Sequence, residues 1–149
     1  MANKRKVVLA GSPTINEDGV ASAQVKPGYL VQGFSAISHH NTAGENVPRA
    51  VALERDELGL GIDDTYKSAD QVTAFYASGD TVKVAVGKPG ERFTMFLASG
   101  YGVVADGQLS SHGDGTLRPI EGTHEPLFRL YQATVVGSAA VVAIVVEVM

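Results

Sequence analysis

The chain of 149 residues is 44% hydrophobic, with 17 Gly, 6 Pro, no Cys and no Trp. A domain of this size buries roughly 68–70% of the surface its unfolded chain exposes, so a core forms without a metal or disulfide staple. The missing cysteines exclude thiolate zinc sites, iron–sulfur clusters, cysteine nucleophiles and thiol redox switching.

Sixteen acidic against twelve basic residues give a net charge of −4, against the profile of a general nucleic-acid binder. The cations are unevenly placed. With Lys4, Arg5 and Lys6 set aside, nine basic groups face sixteen acidic ones from residue 7 onward. The apolar run Val7 to Ala10 stops at Gly11-Ser12-Pro13, short of the ~7–15 residues of a secretory signal. A soluble protein without an export signal is expected, with an extended N-terminal arm over 1–18 and a single β-rich domain over 19–149.

Strands are expected next at Val20 to Val25 and Tyr29 to Val31, separated by Lys26-Pro27-Gly28. Proline presets the backbone of a turn's second position and glycine accepts positive φ at its third, so this tripeptide implies a tight reversal. Further strands are expected at Phe34 to Ser38, Arg49 to Leu53 and Gln71 to Ala77. Glu54 to Leu58 and Asp63 to Ala69 suggest two short helical turns. In Thr81 to Val86, Val82, Val84 and Val86 share one face, and Arg92 to Ala98 repeats that alternation with Phe93, Met95 and Leu97. Between them Gly87-Lys88-Pro89-Gly90 predicts a hairpin.

The last strands are expected at Leu127 to Val136 and Val141 to Val148. The apolar stretch from Ala133 to Val146 is interrupted by Gly137-Ser138 and is shorter than the ~18 residues of a membrane span. The fold class is therefore all-β, a jelly roll, sandwich or small β-barrel, with loops at 39–48, 54–70 and 106–126.

The chemical motifs are weak. Gly87-Lys88 lacks the Gly at 82 and the Ser or Thr at 89 that a phosphate-binding loop requires. His39, His40, His112 and His124 show no metal-ligand spacing; adjacent strand residues face opposite ways, so His39 and His40 read as loop and surface histidines. Asp106 to Gly115 is oxygen-rich but lacks the alternating ligands and closing Glu of a calcium loop, and its two Asp-Gly pairs fit turns around a short strand. No G-x-S-x-G elbow occurs, and Glu54, Asp56, Glu57, Asp63 and Asp64 read as a solvated acidic loop rather than a glycosidase pair. Neither catalysis nor a cofactor is expected.

One ordered set of residues does carry a resemblance. Arg49 to Glu54, then Gly59 to Asp64 and Tyr66, are similar to the signature stretch of the head decoration, or capsid cement, proteins of tailed bacteriophages. The likeness continues through Gln71-Val72, Gly79-Asp80-Thr81-Val82, Pro89-Gly90-Glu91 and Leu97 to Gly100. It resumes at Gly107, Leu109, Gly113 to Leu117 and the alternating terminal strand, covering about residues 25–149. Where the family often has glycine before an acid, this chain has Ala69-Asp70, with a similar pattern following at Tyr76 to Asp80.

The resemblance implies a non-enzymatic protein, made in the host cytoplasm, that sits as a homotrimer on the outer surface of the phage head and braces the expanded shell against packaged DNA. Its partners would be the major capsid protein and further copies of itself, with no nucleic acid, membrane or small-molecule substrate. Lys4, Arg5 and Lys6 are the candidate capsid-contacting residues, since a basic arm meeting acidic groups adds specificity and association rate. The rival expectation is a carbohydrate-binding β-domain of a virion appendage, which uses exposed aromatics as sugar platforms. With five Tyr, five Phe and no Trp, the sequence favours that reading less.

Overall fold

The computed structural model describes residues 7–33, 35–53 and 75–149. The expected helical turns at 54–58 and 63–69, and most of the expected strand 71–77, lie outside them, and no helix occurs among the described residues. The described residues form eleven strands: β1 Val8–Ala10, β2 Thr14–Ala21, β3 Val31–Gln32, β4 Ala36–His39, β5 Ala50–Ala52, β6 Thr81–Val86, β7 Arg92–Leu97, β8 Gln108–Ser111, β9 Leu117–Pro119, β10 Phe128–Leu130 and β11 Val142–Val148. The all-β class is as expected.

They form two sheets. The larger runs β1-β7-β11-β10-β8-β9, and the parallel pairing of Leu97 with Leu117 joins β7 to β9, closing β7-β11-β10-β8-β9 into a five-stranded barrel. The smaller runs β3-β4-β2-β6-β5. The bridge between Leu30 and Val51, flanked by hydrogen bonds from Gly28 N to Ala52 O at 2.8 Å and Ala52 N to Tyr29 O at 3.1 Å, brings its end strands together as a second barrel. Closure shields most sheet edges, although β1 and the first half of β2 keep one side unpaired among the described residues.

Each barrel has its own core. Phe93, Met95, Leu109, Phe128, Leu130 and Ile144 belong to the larger cluster, whereas Val25, Val31, Ile37, Tyr76, Val82 and Val84 belong to the smaller. Successive residues of a strand point to opposite faces. At the seam this sends neighbours into different cores: Leu30, Val51 and Ala85 join the larger cluster, while Val31, Ala52 and Val84 join the smaller. Those segments are apolar on both faces, as strands covered on both sides must be.

Two expectations are corrected. Residues 7–18 are not an arm extended from the body: β1 pairs with β7 through Val8 and Phe93, and β2 pairs with β6 from Thr14 to Val20. Polar Thr14, Asn16, Glu17 and Asp18 hid that strand, because exposed strand faces tolerate such side chains once the backbone is paired. The second correction concerns the hairpin at 87–90. Its turn forms, with Glu91 N donating to Lys88 O at 3.1 Å and Gly90 at φ 91°, and Lys26-Pro27-Gly28 matches it with Tyr29 N to Lys26 O at 3.2 Å and Gly28 at φ 83°. Yet β6 pairs with β2 and β5 while β7 pairs with β1 and β11, so the turn hands the chain from one barrel to the other. Turn chemistry sets a local reversal; partner choice is set by which core each strand covers.

Candidate functional site at the mouth of the smaller barrel

Lys4, Arg5 and Lys6 lie outside the described residues. The histidines, dispersed in sequence, are brought near the β8–β9 hairpin, and they do structural work. His40 is 1% exposed, which corrects its expected place on the surface. Its Nδ1 lies 2.7 Å from Ser111 Oγ and its Nε2 lies 3.0 Å from Glu45 Oε2. A carboxylate accepts only, so Nε2–H donates to Glu45; in the neutral ring Nδ1 then accepts from the Ser111 hydroxyl, whose oxygen in turn accepts from Gly113 N at 3.2 Å.

This acid–histidine–serine order resembles a hydrolase triad in connectivity alone. Ser111 is fully buried and Glu45 is the exposed member, the reverse of what attack on a substrate needs. The chain of bonds instead ties the loop after β4 to β8. A parallel tie joins Ser110 Oγ and His124 Nδ1 at 3.0 Å. Among the described residues, no three His, Asp or Glu side chains converge to hold a metal ion.

His39 serves a second junction. Its ring stacks on Tyr29 with centroids 4.7 Å apart, and its Nε2 accepts the Lys26 backbone N–H at 3.0 Å. Burial, reinforced by the Lys26 charge, holds the imidazole below its ordinary pKa, with Asp114 opposing. Burial and the Asp114 charge push the Tyr29 phenol up. Burial acts to raise the Asp114 carboxyl, but hydrogen bonds from the Thr116 hydroxyl and N–H outweigh it and hold the group below the usual carboxylate range. The Lys26-Pro27-Gly28 turn, the end of β4 and the β8–β9 hairpin are thereby clasped together.

A cavity of about 300 Å³ opens at one end of the smaller barrel. Val31, Val84 and Val86 supply apolar wall from β3 and β6, and Val47 and Pro48 of the loop after β4 roof it. Asn16, Gln32, His40 and Glu45 add its polar groups. A shallower depression continues past Asn16 and Val86 along Thr14, Ile15, Glu17 and Asp18. An apolar pocket with a few polar groups at a barrel mouth is a common form of binding site.

Sequence reasoning missed this place. Its walls come from segments up to seventy residues apart, and Glu45 stands in an otherwise ordinary loop. The one available signal was the doubly apolar character of the seam strands. Compared with protein-family models and with curated proteins, the chain finds no match.

Proposed function

We propose that the protein is a bacteriophage capsid decoration protein that binds the outside of the expanded head as a homotrimer, stabilises the shell against internal DNA pressure, and is not an enzyme. The observation that carries this reading is the ordered set of motif residues across 25–149. Many of these are turn positions with a strict backbone requirement: Gly79, Gly90, Gly100, Gly113 and Gly115 all hold positive φ. The set therefore marks one particular path of strands and turns, which supports kinship more than shared composition does.

A closed, cross-tied scaffold suits a bracing role, and several modest contacts multiply through effective concentration when a trimer touches several shell subunits. Lys4, Arg5 and Lys6 are assigned to the shell contact. The contact between copies is assigned to the loop joining β10 and β11. From Tyr131 to Val146 the chain carries no charged side chain, and Val136 is 83% exposed, with Val104 nearby in sequence to the bridged Val103–Val135 pair at 65%. Copies that each carry −4 approach with least repulsion across such a face. Purified protein mixed with expanded, undecorated heads is expected to bind saturably at a fixed ratio to the shell protein; failure to bind any such head refutes the reading.

A further inference from the structure

The mouth of the smaller barrel carries three independent features. Its volume, about 300 Å³, is at the lower limit for small-molecule pockets, so it fits one long side chain better than a compact ligand. Its walls are apolar, with Val31, Val84 and Val86 inside and Glu45 about half exposed at the rim. The adjoining depression adds Glu17 and Asp18, and among the described residues neither lining includes a Lys or Arg. Lys83 approaches Glu17 only at 3.9 Å, and Arg49, beside the roof, is engaged with Asn46 Oδ1 and the carbonyls of Val47 and Pro126.

The third feature is a strand edge. β2 pairs with β4 only at Val20 and Ala21, so among the described residues Thr14 to Asn16 is paired on the β6 side alone, and Glu17 and Asp18 fall in the irregularity between the Asn16 and Gly19 pairings. That stretch is the floor of the depression. A strand paired on one side presents backbone donors and acceptors to an incoming extended segment.

We propose that this mouth and the Thr14 to Asn16 edge form a docking site for an extended basic segment of a partner protein, one Lys or Arg of which inserts into the cavity. Its aliphatic stem lies against Val31, Val84 and Val86, its cation meets the Glu45 carboxylate, and its backbone runs beside β2. Long cationic side chains place an apolar stem on apolar surface and keep the charge at the rim, which is the division this cavity offers. Charge complementarity selects the occupant: among the described residues the groove presents the carboxylates of Glu17, Asp18 and Glu45, of which Glu45 also accepts from His40 and Glu17 pairs with Lys83, in a chain whose body is acidic. The site deepens the decoration reading, on which it rests for the source of the partner, the shell protein.

The test uses the whole protein and the blocked peptide Ac-Thr-Val-Lys-Val-Thr-amide, with versions in which norleucine or Glu replaces the Lys, followed by NMR titration. The Lys peptide is expected to bind and to shift resonances of Asn16, Gln32, Glu45 and Val86, more weakly as salt rises. The Glu45→Gln variant is expected to lose about tenfold in affinity, as befits a charge-assisted contact. Val47→Phe, which narrows the mouth, is expected to weaken binding while leaving the unfolding temperature near that of the parent chain. Equal binding of the norleucine peptide, or no effect of either substitution, overturns the proposal. Binding that occurs only after Lys4, Arg5 and Lys6 are changed to Ala also overturns it, by identifying the chain's own segment as the occupant. Head binding without peptide binding refutes this site and leaves decoration standing; peptide binding without head binding does the reverse.

Discussion

The two barrels of one short chain are held by different means. The larger is filled by bulky side chains, with Phe93, Met95, Phe128 and Ile144 almost wholly buried, and its strands pair over long registers, β7 matching β11 at six successive positions. The smaller is filled mainly by Val and Ala around one aromatic, Tyr76, whose hydroxyl donates to Leu53 O at 2.9 Å. Hydrophobic stabilisation scales with apolar area buried, so the larger barrel contributes more. The smaller depends on the seam it shares with the larger and on the ties at His39 and His40. The difference teaches where binding is affordable: the open mouth belongs to the barrel whose core is thinner.

The largest expected effect lies in the large core. Phe128→Ala should cost about 3–5 kcal/mol, and thermal unfolding should lose both barrels in one transition, because Leu30, Val51 and Ala85 of the small-barrel strands are packed in that core. Two separated transitions would break the picture of a shared seam. Next comes Gly115→Ala, where φ is 90° and an added Cβ would stand 2.9 Å from Tyr29 and 3.0 Å from His39. The strain should cost about 1–3 kcal/mol, read from urea midpoints. Tyr76→Phe removes one hydrogen bond from the small core and should cost about 0.5–1.5 kcal/mol. Hydrogen exchange sharpens the contrast: amides of Val82 and Val84 should exchange faster than those of Met95 and Phe128.

The clasp at His39 adds a pH dependence. Its folded pKa is depressed, so the unfolded chain takes up the proton more readily. The stability it contributes is fully present above about pH 6.5 and is lost as pH falls from there through the folded pKa. His39→Gln should flatten that part of the profile in urea titrations at stepped pH; an unchanged slope would remove His39 as its source. The smallest effect on folding is expected from Val136→Asp, within about 0.5 kcal/mol, and on the proposed assembly light scattering should then show monomers where the parent chain shows trimers.

Strands with plain alternation were legible from residues alone. Thr81–Val86, Arg92–Leu97 and Val142–Val148 stand where periodicity puts them, and their apolar faces are the buried ones. The Pro-Gly turns were legible as turns but not as links between barrels, because partner choice depends on cores assembled from distant segments. β2 was illegible because Thr14, Asn16, Glu17 and Asp18 break any apolar alternation and its apolar Ile15 and Val20 are themselves exposed, so its evidence is pairing with Thr81 to Val86, some seventy residues away. The histidine ties and the cavity were invisible for the same reason: Ser111 and His40 are 71 positions apart. Val136 was placed in a strand, yet β10 ends at Leu130, since the uncharged loop after it buries little.

Binding to the shell itself bears most directly on the decoration reading. Expanded, undecorated heads incubated with increasing protein and imaged by electron cryo-microscopy should saturate, with threefold-symmetric density on the outer surface at fixed positions. Heads that remain bare at saturating protein, or density without threefold symmetry, would contradict the account.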